Sequence, residues 1–204
     1  MPFLRFTKNT YPKIKWLASS TSNEWLDQAL SNPMEVLIDH ANCERKAAGA
    51  AVQLMFRYLA EPGLAEVLSP LAREELEHFE RVLKILQSRG HSLKLLQAPP
   101  YGGLLAKSIR KEEPHRMLDS FLVAGLIEAR SHERMSLLAL HSSDVEIRSL
   151  YKDLLKSEAR HFGIYWNLAD ERFDRNNVVS RLEELARIES DALVELHNQP
   201  RMHS

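Results

Sequence analysis

Glu44 followed by Glu75-Leu-Glu-His78, and Glu128 followed by Glu158-Ala-Arg-His161, are two copies of one set of metal-ligand types, offset by 84, 83 and 83 residues. Residues three apart share a helix face, so each Glu-x-x-His presents a carboxylate and an imidazole side by side. Each half of the chain thus offers two carboxylates and one imidazole. Gathered in one core, four carboxylates must be paired, neutralised or bound to metal, because unpaired buried charge is very costly. Two divalent cations would balance them. The candidate ligands, acting in catalysis through the metals, are Glu44, Glu75, His78, Glu128, Glu158 and His161.

A third Glu-x-x-His, Glu112-Glu113-Pro114-His115, contains a proline suited to a helix start and has no partner in the repeat. It is set aside as a chance copy. The other two sit in apolar seams with steps of three and four: Leu68, Leu71, Glu75, His78, Val82 and Ile85 in one helix, Leu150, Leu154, Glu158, His161, Tyr165 and Leu168 in another. Glu44 lies in the series Leu37, His40/Ala41, Ala47/Ala48, Ala51 and Met55, and Glu128 in the series Leu118, Phe121, Gly125, His132, Met135 and Leu138. Two lone Glu residues on two helices, with Glu-x-x-His on two others, match the ligand pattern of ferritin-like di-iron and di-manganese carboxylate bundles.

The elements that must carry these residues follow from periodicity and caps. Ser22 opens a short helix to about Leu30, and Asn32-Pro33 starts the first ligand helix, roughly 33–60. A preliminary turn at 62–68 precedes the second, about 70–89, with Gly90 as its cap. Residues 90–113, carrying Pro99-Pro100 and Gly102-Gly103, read as the long crossover that joins the helix pairs of such bundles. The third and fourth ligand helices span about 114–141 and 143–172. An additional helix, 175–197, packs outside, and 200–204 is expected to fray. The whole chain, 1–204, reads as one all-α, ferritin-like four-helix-bundle domain with flanking helices and an irregular basic arm over 1–22.

Composition agrees: 44% hydrophobic residues and 7 Gly favour a helical core over sheet. The single cysteine, Cys43, precludes an internal disulfide and a Cys₄ iron site. No apolar run is long enough for a signal peptide or membrane span, so a cytoplasmic, monomeric protein is expected. Net charge is −1, but residues 1–20 carry Arg5, Lys8, Lys13 and Lys15, and residues 89–116 include Arg89, Lys94, Lys107, Arg110, Lys111 and Arg116. Such clusters are either ordinary solvated charge or phosphate contacts.

With these residues in hand, the segment Leu37-Ile-Asp-His-Ala-Asn-Cys-Glu-Arg-Lys-Ala-Ala48 resembles the tRNA 2-methylthio-N6-isopentenyladenosine hydroxylases. The similarity extends through Glu75-Leu-Glu-His78, Pro99-Pro100-Tyr101-Gly102, Glu128-Ala-Arg-Ser-His-Glu-Arg134 and Glu158-Ala-Arg-His161. The resemblance implies an O₂-dependent non-haem di-iron monooxygenase that hydroxylates the isopentenyl group of the modified adenosine next to the anticodon. It places the same six residues on two iron ions. It also implies a tRNA anticodon stem-loop as partner and a separate reductase, since the chain has no flavin fingerprint or iron–sulfur cysteines.

Beyond the ligands, related bundles point to Glu74 and Ser157, each preceding the Glu of a Glu-x-x-His motif, as acceptors for the opposite histidine. His132, one turn past Glu128, reads as a core histidine that could approach the metals; Cys43 and Tyr165 read as packing. The Ala-rich face after Glu44 and Gly125 before Glu128 leave either space for a prenyl group or a close helix contact. Lys94, Lys107, Arg110 and Lys111 are candidate tRNA contacts. A ferritin-like protein that oxidises or stores iron would use the same ligands, as would a dimanganese catalase. A metal-free interaction module would not depend on His78 or His161.

Overall fold

The computed structural model describes residues 14–204. Arg5, Lys8 and Lys13 of the expected basic arm lie outside the described residues; residues 14–22 are irregular and retain Lys15. Among the described residues there are seven helices and no strand: α1 (Asn23–Ser31), α2 (Pro33–Arg57), α3 (Leu64–Ser88), α4 (Pro100–Ser108), α5 (His115–His141), α6 (Val145–Asp170) and α7 (Arg175–Asp191).

Short turns fold α2 against α3 and α5 against α6, as antiparallel hairpins require. Helices α3 and α6 touch and close one side of the bundle. Helices α2 and α5 do not pack closely. The core accordingly divides into two apolar clusters. One contains Leu54, Leu68, Leu71, Phe121, Leu126, Tyr165 and Leu168, the other Leu37, Ala41, Val82, Leu86, Leu138, Leu150 and Leu154. The layer of 44, 75, 78, 128, 158 and 161 falls between them in every helix, so apolar side chains shut water out from both ends.

Local chemistry sets the helix ends. Ser22 Oγ accepts from Trp25 N at 3.1 Å, and Asp144 and Asp174 cap α6 and α7 in the same way. Gly90, with φ 74°, ends α3 in a Schellman motif: its own N–H donates to the Gln87 carbonyl at 3.0 Å and that of His91 to Leu86 at 2.9 Å.

Four expectations require correction. Helix α3 starts at Leu64 and runs through Pro70, because the ring is exposed while Leu64, Leu68 and Leu71 are buried on the seam. The proline therefore leaves only a surface-side carbonyl without its helical partner. The crossover contains the helix α4, which burial of Tyr101 and Leu105 holds against the bundle despite Gly102-Gly103. Helix α7 ends at Asp191 rather than near 197, and the tail is not frayed. Residues 201–204 are buried: Trp25 Nε1 donates to the Arg201 carbonyl at 2.9 Å, Met202 N to Asp39 at 2.7 Å, and Arg134 to the main-chain oxygens of Met202 and Ser204 at 2.6 and 2.9 Å. Those partners come from three different helices, and backbone groups buried this way must be hydrogen-bonded.

Candidate metal centre

The fold brings all six candidate ligands together in two overlapping groups. Glu44, Glu75, His78 and Glu158 form one; Glu75, Glu128, Glu158 and His161 form the other; within each group the ligand atoms lie within 4.8 Å of one another. Glu75 and Glu158 belong to both, so the two motif glutamates take the shared positions and the lone Glu44 and Glu128 the outer ones. All six are buried.

Both histidines aim Nδ1 inward. His78 Nδ1 is 3.2 Å from Glu158 and 3.5 Å from Glu44, and His161 Nδ1 is 2.6 Å from Glu75. Their outward nitrogens are held: His161 Nε2 lies 2.9 Å from Glu74, which also pairs with Arg160, and His78 Nε2 lies 3.0 Å from Ser157 Oγ. Such outer contacts set which ring nitrogen is free to bind a metal.

Metal fits this donor set. Both Glu75 oxygens, Glu158 Oε1, His78 Nδ1 and His161 Nδ1 are buried without a hydrogen bond of acceptable geometry, although they crowd one another. Buried polar atoms are rarely left so, and carboxylate plus imidazole is a donor set for a divalent transition metal. The electrostatics carry the same strain. Burial, then the neighbouring Glu44 and Glu158 charges, pushes the Glu75 carboxyl well above its ordinary range; burial and the Glu75 and Glu158 charges do so for Glu128. Burial alone would lower His78, but Glu158 and Glu44 outweigh it and raise its pKa to about 9. Burial would also raise Glu44, yet His40 beside it holds that carboxyl far below its usual range.

His40, which falls on the seam of the first ligand helix, has a part at the site that the sequence reading did not assign. One turn before Glu44, fully buried and stacked on Tyr151 at 5.3 Å, it pairs through Nε2 with Glu44 Oε1. Its i, i+4 spacing from Glu44 was the available signal. The outer carboxylates therefore differ. Glu44 is pinned, whereas Glu128 lines a largely apolar cavity of about 390 Å³ between α2, α4 and α5. Ala47, Ala50, Gly102, Gly103, Ala124 and Ile127 make its walls, with Lys46, Cys43 and His203 along one side. The Ala-rich face after Glu44 thus borders open space. Gly125 does not: an added Cβ there would collide with the Trp16 ring and lie 3.2 Å from Tyr165 Cβ, so this glycine serves close packing.

The remaining candidates are placed as follows. His132 is half-buried with its ring 5.9 Å from Phe162 and lies outside both ligand groups; burial lowers its pKa. Cys43 is desolvated, which pushes its thiol well up, and its Sγ sits 3.7 Å from His203 Nδ1. Lys94, Lys107 and Lys111 are exposed. Arg110 is not a free cation: it grips the buried Asp119 through its backbone N–H, Nε and Nη2 at 2.6–2.9 Å, joined there by Arg181. Asp119 lies nine residues on, across a turn that only the fold closes.

Four ligand helices, one crossover and two carboxylate–histidine groups in the core define a ferritin-like bundle whose centre could hold metal. A family profile described as tRNA-(MS[2]IO[6]A)-hydroxylase (MiaE) matches residues 8–204, and the chain belongs to that family. It is 39% identical to a tRNA 2-(methylsulfanyl)-N(6)-isopentenyladenosine(37) hydroxylase of Pseudomonas putida, over 93% of this chain and 92% of the relative. A Salmonella typhimurium protein of the same name is 26% identical over 95% of this chain and 89% of its own length. Among solved structures, "Protein 43 with aldehyde deformylating oxygenase activity from Synechococcus" is 65% identical with a TM-score of 0.92, covering 94% of this chain and 96% of that one. No helix among the described residues is long and apolar enough to cross a membrane.

Proposed function

We propose that the chain is an O₂-dependent di-iron monooxygenase that hydroxylates the isopentenyl side chain of 2-(methylsulfanyl)-N6-isopentenyladenosine in tRNA. The observation that carries this reading is the cavity: a doubled carboxylate–histidine site opens through Glu128 onto an apolar space, in a chain belonging to a tRNA hydroxylase family. Glu44, Glu75, His78 and Glu158 would hold one iron, and Glu75, Glu128, Glu158 and His161 the other. A bound iron pair would supply the reduction of O₂: one oxygen atom enters the C–H bond, the other leaves as water, with two electrons from an external reductase and two protons from solvent.

The chain's own residues do the rest. His40 and Glu74 orient Glu44 and His161, so the ligands are arranged before metal arrives. The cavity volume corresponds to roughly a dozen waters at about 30 Å³ each, ample for a five-carbon group with part of its base. Its apolar walls displace water from the reacting carbon. Lys94, Lys107 and Lys111 are proposed to steer tRNA phosphates; Arg110 is tied to Asp119.

The test is nucleoside mass spectrometry of prenylated tRNA incubated with iron-loaded protein, O₂ and a reducing system. A one-oxygen gain on the prenyl adenosine, lost in His78→Ala, is expected; its absence would refute the reading. The 65% identity to the Synechococcus protein favours a second reading, O₂-dependent deformylation of an aldehyde in the same cavity, with the carbonyl carbon leaving as formic acid, the second product water, and four electrons drawn from the reductase with four protons from solvent. Aldehyde loss with formation of the hydrocarbon one carbon shorter would select it. Iron accumulating in the protein with no substrate oxidised would instead select iron storage.

A further inference from the structure

The N-terminal coil, α6 and α7 enclose a second and larger cavity, about 660 Å³, away from the ligands, and its lining is unusual for a structural groove. Three half-buried aromatic rings face it: Trp16, Phe162 and Trp166. Trp16 packs at 5.8 Å on Phe162 and 5.7 Å on Trp166, and the Arg175 guanidinium lies 5.7 Å over the Trp166 ring. Lys15 and Arg187 stand at the rim, both exposed; Arg187 meets its only ion-pair partner among the described residues, Glu183, at 4.0 Å.

Gly163 lies between Phe162 and Trp166 inside α6, two turns from its C-terminal end. A glycine inside a helix is destabilising relative to alanine, and a close helix contact is the usual reason for one. Here a Cβ would meet nothing within 4 Å. What the missing side chain provides is open space beside the indole and phenyl rings. Flat rings with open space beside them and cations at the edge match an unpaired nucleobase with its phosphate, the combination by which single-stranded nucleic acid is bound. The groove also lies near the metal layer, since the Trp16 ring that walls it packs on Gly125, and a Cβ at that glycine would lie 3.2 Å from Tyr165 Cβ, a residue that lines the Glu128 cavity.

We infer that the Trp16–Phe162–Trp166 groove is a stacking site for an unpaired base of the RNA substrate, with Lys15, Arg175 and Arg187 placed for the adjoining phosphates. This rests on the tRNA reading above and assigns a surface to it. Base–aromatic stacking is worth about 1–3 kcal/mol per base, a 5- to 150-fold change in Kd.

The experiment measures Kd of the iron-loaded full chain for a synthetic anticodon stem-loop RNA and for its fully paired stem, by tryptophan quenching and by filter binding. Trp166→Ala should weaken stem-loop binding about 5- to 150-fold and leave stem binding unchanged. Trp166→Phe should recover most of the loss. Gly163→Leu starts from a Cβ position with nothing within 4 Å, projects into the groove and improves helix propensity, so it should weaken stem-loop binding while iron content and melting temperature hold or rise. Wild-type binding of the stem-loop that neither Trp166→Ala nor Gly163→Leu alters would overturn the stacking site and leave the tRNA reading intact. A wild-type chain that binds no RNA would overturn both.

Discussion

Replacing Glu75 by glutamine should make the metal-free protein more stable and the metal-loaded protein less so. Glu75 is 1% exposed and belongs to both ligand groups, whose donor atoms lie within 4.8 Å of one another. At that separation and an effective dielectric constant of about 20, two ionised carboxylates repel by about 3.5 kcal/mol. The alternative is to hold a proton on Glu75, as its raised pKa indicates. At pH 7 that costs about 1.4 kcal/mol for each pH unit above the ordinary value near 4.3, or about 3.7 kcal/mol. Both routes put the burden near 2–4 kcal/mol, and the uncharged, isosteric amide removes it. In a domain of this size 1 kcal/mol moves Tm by about 2–4 °C, so Glu75→Gln should melt roughly 5–15 °C higher than wild type in chelator. Since the folded-state pKa is raised, the advantage is present above the ordinary carboxylate pKa and fades as the pH falls towards about 4. Two ions at a hundredfold excess over Kd each add about 2.7 kcal/mol to wild type, about 10–20 °C in all, and the variant should lose that gain at both positions. Thermal scans by circular dichroism, with chelator and with anaerobic Fe(II), give all four values. A Glu75→Gln protein that melts no higher than wild type in chelator, or that retains two ions, would refute the reasoning.

Four further outcomes follow from the same geometry. His161→Ala and His78→Ala should each fall below two bound irons per chain by elemental analysis and lose hydroxylation, while the helical circular dichroism spectrum is kept. Asp119→Asn should cost about 2–3 kcal/mol at neutral pH, because Arg110 and Arg181 lose a buried partner. Burial opposes ionisation of Asp119, but the two arginines outweigh it and lower its pKa, so its stabilisation is complete above the ordinary carboxylate range and is lost as pH falls through the lowered value; wild-type and variant melting temperatures should converge in acid. Gly125→Ala should displace the Trp16 ring, visible as red-shifted tryptophan emission, with an overpacking cost of about 1–3 kcal/mol partly offset by roughly 1 kcal/mol of helix propensity. Substrate-tRNA affinity should fall as salt rises, and less steeply in a Lys94, Lys107, Lys111 triple-alanine variant; equal slopes would remove those lysines from the interface.

What the sequence determined by itself was whatever recurs at helical spacing. The two Glu-x-x-His motifs, the lone glutamates and the leucine seams around them are local periodicities, and an apolar stripe can face only the core, so the all-α architecture and the gathering of six ligands were legible from residue order. Capping by Ser22 and Gly90 is equally local. Tertiary structure alone decided the rest, because it depends on contacts between residues far apart in the chain. That Glu75 and Glu158 take the shared positions, and that Glu128 rather than Glu44 opens onto the cavity, follows from how two hairpins pack and from His40 pinning one carboxylate. Pro70 stayed helical because flanking leucines are buried, and Pro99-Pro100 opened a helix because Tyr101 and Leu105 found a core to enter. Arg110 was committed to Asp119, Gly125 to Trp16, and the polar tail at 201–204 to Trp25, Asp39 and Arg134. None of these pairings has a periodic signature: each stabilises only after the chain has closed, when burial makes an unpartnered polar group or an empty space costly.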